Sequence, residues 1–322
     1  MVSPLRQRGA VTIRPSPPGR TTQLPLRGAA RARSVVWPGP GTHAKVSPVQ
    51  PHPWNVDFAW TRSESVPEQL TSEQVDHFHE HGWLVIDDLI DDATVTRLTA
   101  ELDEIEAEIA EALEHLPDGR LFIAEAGAIT FAPHAVTRSA AARAVSSHPA
   151  IAAICRDLVG PDVRLYWDQI VYKKPEKPRP FPWHQDNGYT FVEPQQYLTV
   201  WLSLGDAPVE AGCPWVVPGL HRHGTLVHEY VDPLGFQCFP DHPDAVPAPV
   251  GRGGAVVFSS LTPHLTGPNT TDAVRKTYIL QYAPDGAVKL DGDPTGADDP
   301  IRTPQNDPDR QYHVVERGVP VA

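Results

Sequence analysis

Of the 15 histidines in this 322-residue chain, those that matter chemically have a second ligand close by, at a spacing that can converge on one ion. His184-Gln185-Asp186 has that form. In an extended strand, residues two apart face the same side, so His184 and Asp186 would present an imidazole nitrogen and a carboxylate oxygen together. A chain this rich in His and Asp produces roughly one such tripeptide by chance, so its setting has to decide. A third ligand is needed from a distant strand. The strongest candidate is His264, in Ser260-Leu261-Thr262-Pro263-His264-Leu265-Thr266-Gly267, just beyond the apolar run 254–258. Two His and one carboxylate form the facial set of non-haem Fe(II) oxygenases, which leaves the opposite positions open for co-substrate and oxygen. The same set can hold zinc for hydrolysis, or a metal with no catalytic role.

Arg275 discriminates among these. It follows His264 by eleven residues and opens a β-type run that could return antiparallel beside the strand bearing His264. A buried arginine demands an anion, and bidentate carboxylate capture is its preferred use; the competing reading is a salt bridge within the protein. A chelating 2-oxo acid with a remote carboxylate would account for the triad and the arginine together. The other clusters are less suited. His77, His79 and His81 lie two apart on a helix and point different ways, which reads as surface. His221, His223 and His228 surround Gly219 and Gly224 in a loop, and His242-Pro243-Asp244 lies among Pro240, Pro247 and Pro249. Glu101, Glu104, Glu108 and Glu111 resemble a carboxylate cluster but fall on the solvent side of their helix.

Positioning elements are legible around these residues. Thr71 and Gln74 make a capping box for a helix ending before Gly82, and 83–86 reads as a short strand. Asp92 is a plausible N-cap for a long helix whose Val95, Leu98, Leu102, Ile105, Ile109, Ala112 and Leu116 mark one buried face. A helical stretch over 139–158 is interrupted at Pro149, which suits the first turn of a new helix. Short β-type runs follow at 163–173, 197–204, 213–217, 254–258 and 275–282. Strands after a helical start predict an α+β domain whose strands form a sandwich or barrel.

Charge and composition exclude several classes. The net charge is −13, and because residues 1–50 carry eight basic side chains and no acidic one, the remainder is more acidic still. Such a body repels phosphate backbones, so nucleic acid is not expected as a partner of the main domain. No stretch approaches the roughly 18 to 20 apolar residues of a membrane span, and the N-terminus lacks the apolar core of a signal peptide. Three scattered cysteines suit neither a disulfide framework nor a Cys-based zinc site, which points to a reducing, cytoplasmic setting. Residues 1–53 read as a disordered basic Pro/Arg-rich tail, 54–290 as one domain, and 291–322 as a polar C-terminal tail.

The stretch 163–285 resembles the phytanoyl-CoA dioxygenase family of Fe(II)- and 2-oxoglutarate-dependent oxygenases. Five blocks carry the resemblance in order. They are Gln169-Ile170-Val171-Tyr172-Lys173-Lys174-Pro175, Trp183-His184-Gln185-Asp186, and Tyr197-Leu198-Thr199-Val200-Trp201-Leu202-Ser203-Leu204. Glu210-Ala211-Gly212-Cys213 then leads into Val217-Pro218-Gly219-Leu220-His221, and the last block runs from His264 to Arg275. Gly219-Leu220-His221 departs from the family's usual Gly-Ser-His, in a turn and not at a ligand.

The resemblance implies a double-stranded β-helix, a cupin-like jelly-roll, with flanking N-terminal helices. It implies that His184, Asp186 and His264 hold Fe(II), that Arg275 pairs with the C5 carboxylate of 2-oxoglutarate, and that Thr266 adds a hydroxyl hydrogen bond there. Trp201 would line the co-substrate pocket, and Gln169 would reach the C1 carboxylate or the substrate. The implied activity is O2-dependent hydroxylation of an aliphatic C–H of a small molecule with release of succinate and CO2, by a monomer or homodimer. Desaturation, epoxidation and ring closure stay open, and the Asp186 carboxylate argues against halogenation. The acidic charge makes an anionic CoA thioester less attractive than a neutral or cationic metabolite. The alternative is a jelly-roll protein that binds a metal or carboxylate without oxygenase turnover.

Overall fold

Helix α1 (Ser72–His81) begins where Thr71 accepts from the Gln74 backbone and the Gln74 side chain accepts from the Thr71 N–H. It stops at Gly82, which has φ 84°. A Cβ there would meet His221 Nδ1 at 2.5 Å and Thr262 Oγ1 at 2.6 Å, so both conformation and space require glycine. In this computed structural model, residues 49–321 are described, apart from 64–65 and 176–180. The basic tail expected over 1–53 thus lies outside the described residues up to 48. Residues 50–52 are tied down, with the Val227 N–H donating to Gln50 O and the His52 N–H to Thr225 O, both at 2.8 Å.

After strand β1 (Trp83–Ile86) comes α2 (Asp92–Glu114), capped by Asp91 and not Asp92: Asp91 has the extended backbone and its carboxylate accepts from the Thr94 N–H at 3.0 Å. Val95, Leu98, Leu102 and Ile105 are buried as expected, but towards the C-terminal end Ile109 is half-buried, Ala112 is exposed and Leu113 is the buried residue, with Leu116 half-buried beyond the helix. Glu104, Glu108 and Glu111 are exposed, while Glu101 turns inward to accept from the Ser139 hydroxyl and the Ala141 N–H. Strand β2 (Ile129–Pro133) leads to α3 (Ala140–Ser146) and α4 (Pro149–Leu158), which part at Pro149 as the sequence indicates.

The strands that follow include β3 (Val163–Lys173), β4 (Leu198–Ser203), β5 (Pro214–Val216), β6 (Val246–Pro247), β7 (Ala255–Ser259), β8 (His264–Thr266), β9 (Arg275–Pro284) and β10 (His313–Glu316). Antiparallel pairing builds a major sheet in the order β1-β7-β4-β9-β3-β2 and a minor sheet β6-β5-β8. Facing antiparallel sheets whose neighbours are distant in sequence make the jelly-roll expected from the resemblance. One face of the major sheet packs on the helices through Leu165, Ile170, Tyr278 and Leu280 with Leu98, Leu102, Ile151 and Ile154. The other faces the minor sheet through Trp201, Val256, Phe258, Cys213 and Ala248.

Register determines what points between the sheets. Cross-strand partners share a face, so Gln169, Ile279, Trp201 and Val256 form one row, Lys173 and Arg275 another, and Gln281, Thr199 and Phe258 a third. Arg275 therefore does not run beside the strand of His264, as its sequence position suggested: β9 lies between β3 and β4 in the major sheet, and β8 in the minor one. The segment 291–322, expected as a polar tail, contributes β10, which pairs with β3 and buries Val314 and Val315 completely. Two apolar residues make too short a pattern to read as a strand in a polar stretch.

Candidate metal centre

His184 and His264 exchange backbone hydrogen bonds, the His184 N–H donating at 2.9 Å and the His264 N–H at 2.8 Å, so their rings stand 4.1 Å apart. The chain does not stay extended through the motif. Asp186 opens a one-turn helix, Asp186–Tyr189, and reaches the histidines from that turn instead of from a shared strand face. Its Oδ1 lies 3.7 Å from His264 Nε2 and 4.0 Å from His184 Nε2. Among the described residues this is the one group of three such side chains whose ligand atoms all lie within 4.8 Å of one another.

Hydrogen bonds outside the triad aim each donor inward. His184 Nδ1 donates to Pro182 O at 2.8 Å and His264 Nδ1 to Thr262 O at 3.0 Å. A carbonyl can only accept, so the proton sits on Nδ1 and each Nε2 lone pair is left for a metal. The Thr199 hydroxyl donates to Asp186 Oδ2, which leaves Oδ1 facing the histidines. Burial, reinforced by the neighbouring His264, holds the His184 pKa well below its ordinary value, so the ring stays in its neutral, ligating form. Two neutral imidazoles with fixed tautomers and one oriented carboxylate are a donor set suited to a divalent first-row metal.

Gln185, fully buried between the two ligands, locks the motif in place. Its Nε2 donates to Gly224 O and Leu261 O, its Oε1 accepts from the Leu226 N–H, and its own N–H donates to His228 Nε2 at 2.9 Å. Sequence reasoning missed Gln185, His228 and Thr199. Of these, only Gln185 carried a signal, an amide flanked by two ligands.

Arg275 is buried on the same face of the major sheet. Its Nη1 donates to Gly212 O at 3.0 Å and its guanidinium lies 5.1 Å over the Trp201 ring. Its cross-strand neighbour Lys173 donates to Gly267 O at 3.0 Å. Thr199 and Trp201 are two apart in β4, so one strand face carries both the residue that holds Asp186 and the one under Arg275. Thr266 is half-buried two residues beyond His264 in β8. Gln169 is half-buried in the row of Trp201 and accepts from Trp167 Nε1 at 3.3 Å. Aromatic rings wall the centre, with Phe181 and Tyr189 at 4.9 and 5.1 Å from His184 and Phe258 at 4.4 Å from His264.

Other histidines among the described residues serve the packing. His79, expected at the surface, is buried: Trp60 Nε1 donates to its Nδ1 at 3.2 Å, and Trp60 also packs edge-on against the buried His221 at 4.4 Å. His242 stacks near Phe239, with the exposed Asp244 4.0 Å away.

The sequence profile described as phytanoyl-CoA dioxygenase (PhyH) matches residues 78–277, a span holding the three triad residues and Arg275. The chain belongs to the phytanoyl-CoA dioxygenase family. A phytanoyl-CoA dioxygenase domain-containing protein 1 of Danio rerio is 31% identical over 148 residues, 42% of this chain and 50% of that protein, so the chain spans half the length of that relative. A methylphosphonate hydroxylase of Gimesia maris is 28% identical over 222 residues, covering 66% of this chain and 80% of its own. Among solved structures, the non-haem α-ketoglutarate-dependent carbocyclase SnoK from nogalamycin biosynthesis superposes with a TM-score of 0.59 at 26% identity, over 70% of this chain and 89% of that one. The family match and these similarities bear out the expected family, jelly-roll class and oxidoreductase class.

Proposed function

We propose that this PhyH-family protein is an Fe(II)- and 2-oxoglutarate-dependent dioxygenase that hydroxylates an aliphatic C–H of a small molecule. The observation that carries the reading is the continuity of one strand face, from Asp186 through Thr199 and Trp201 to the buried Arg275. A metal triad alone serves many chemistries; a triad joined through one strand face to a buried guanidinium suits a 2-oxo acid held at both ends.

His184, Asp186 and His264 would hold the iron. Arg275 would bind the remote carboxylate of 2-oxoglutarate, with the Thr266 hydroxyl as a second donor and the Trp201 ring as a wall. Gln169 would donate to the C1 carboxylate or to the substrate. When bound, iron and 2-oxoglutarate supply the O2-dependent oxidation that releases succinate and CO2. The chain itself fixes imidazole tautomers, keeps a carboxylate in the ligand set, and lines the centre with Phe181, Tyr189 and Phe258 so that water is excluded. A cytoplasmic setting is part of the proposal, supported by Cys155, Cys213 and Cys238 standing as free thiols.

The test is an anaerobic titration of the apo-protein with Fe(II) and 2-oxoglutarate, watching for the visible charge-transfer band of the chelate, followed by succinate release in air. The band should appear in the wild type, vanish in Asp186→Ala, and require more 2-oxoglutarate in Arg275→Ala. Iron binding without the band would overturn the 2-oxo acid role of Arg275 and leave a non-catalytic metal-binding protein.

A further inference from the structure

Two aromatic side chains, Phe122 at 53% and Tyr230 at 44% exposure, are the only Phe, Tyr or Trp residues that stand out in solvent among the described residues. They lie 108 positions apart in sequence, yet their rings stack at 5.9 Å and 21°. Two more rings close a circuit: Tyr230 meets Phe236 at 5.5 Å, Phe236 meets Tyr189 at 5.3 Å, and Tyr189 meets Phe122 at 6.4 Å. The innermost of the four, Tyr189, also touches the His184 ring at 5.1 Å. The circuit therefore runs from open solvent to a metal ligand in two ring contacts.

Three features shape this rim, the first of them at a cost. Phe122 has φ 54°, the left-handed region, in the turn between Leu121 and Ala124; a bulky residue held there costs about 1 kcal/mol or more. Gly235 has φ 112°, and a Cβ on it would meet Tyr189 Oη at 2.4 Å and Ile123 Cγ2 at 3.1 Å, so glycine lets the hairpin close on both neighbours. Tyr189 Oη accepts from the Phe236 N–H at 3.2 Å, which fixes the ring. Strain at Phe122 and two rings left about half exposed persist in the free protein, as expected of a surface kept for a ligand.

We propose that this rim is the substrate platform, and that the substrate carries a flat aromatic ring system without negative charge which stacks there while an aliphatic C–H reaches the metal centre. This rests on the oxygenase reading above and names its substrate class. Near-parallel ring faces favour an offset ring over a flexible alkyl chain. On the turn that carries Phe122, Arg120 and Glu125 pair at 2.8 Å, while the exposed carboxylates Glu229 and Asp232 flank Tyr230, so the rim disfavours an anionic group.

The experiment is calorimetric titration of the full-length apo-protein with 2-naphthol, a flat ring probe, and with 1-octanol, an alkyl probe of similar size. Wild type should bind 2-naphthol saturably and about tenfold tighter than 1-octanol; Phe122→Ala and Tyr230→Ala should each weaken 2-naphthol about 3- to 10-fold, and Tyr230→Phe should not. Equal affinity for the two probes, unchanged affinity in both alanine variants, or no saturable 2-naphthol binding would each overturn the platform. The titration needs neither iron nor 2-oxoglutarate. Loss of the charge-transfer band with intact 2-naphthol binding would thus sink the oxygenase reading alone, and the reverse pattern the platform alone.

Discussion

Asp186 has two oxygens with different duties, and Thr199 sets which is which. The Thr199 hydroxyl occupies Oδ2, so Oδ1 is the atom left 3.7 Å from His264 Nε2. Valine has the shape of threonine without the donor, so Thr199→Val would leave Oδ2 buried and the carboxylate free to rotate. Loss of such an orienting partner lowers metal affinity by about 10- to 100-fold. Competition against a fluorescent Fe(II) chelator should show that drop in Thr199→Val, recovery in Thr199→Ser, and no measurable binding in Asp186→Ala. Affinity within twofold of wild type in the valine variant would remove Thr199 from the site. None of this could be read from Tyr197-Leu198-Thr199-Val200, where threonine is one more β-branched residue. What the sequence did carry at this scale was the candidacy of His184, Asp186 and His264, whose ligand atoms the fold brings within 4.8 Å of one another, because ligand type and order can be read without knowledge of the fold.

At the scale of elements, local signals were legible and distant ones were not. The capping box of α1, the buried stripe of α2 and the break at Pro149 are interactions within four residues, so spacing alone reveals them. The placement of β9 in the opposite sheet from β8, and the turn that delivers Asp186, depend on pairings 13 to more than 70 residues away. Asp157 belongs to the second kind. At the end of α4 and fully buried, it accepts backbone N–H groups of Glu68, Gln69 and Leu70 and pairs with Arg156 at 2.8 Å. It thereby ties α4 to the chain entering α1, some 90 residues earlier. Asp157→Ala would leave those backbone donors without their acceptor and remove one of the two carboxylates paired with Arg156, at a cost of roughly 3 kcal/mol. Urea denaturation should show the midpoint falling with an unchanged slope, and a loss below about 1 kcal/mol would mean that the segment re-solvates without penalty.

The whole molecule sums buried groups of opposite sign, and its pH dependence follows from them. Burial lowers the pKa values of His79 and His221 from 6.5 to about 4, so both are kept neutral in the folded protein. Their contribution is fully present above pH 6.5 and is lost as pH falls toward 4, because the unfolded chain takes up protons first; each is worth roughly 3 kcal/mol over that window. Asp168 acts the other way. Burial raises it from 3.8 to about 6 in spite of the hydrogen bond it accepts from the Tyr278 hydroxyl, so below pH 6 the folded state binds its proton before the unfolded state does. Acidification from pH 7 to 4 therefore recovers roughly 2 kcal/mol at Asp168, less than the two histidines lose together. Stability should decline across this interval in the wild type. Asp168→Asn keeps an acceptor for the Tyr278 hydroxyl but cannot titrate, so its decline should be steeper by roughly 2 kcal/mol. Chemical denaturation at pH 7, 5.5 and 4 measures both slopes, and parallel slopes would show that Asp168 ionises alike in the folded and unfolded chain.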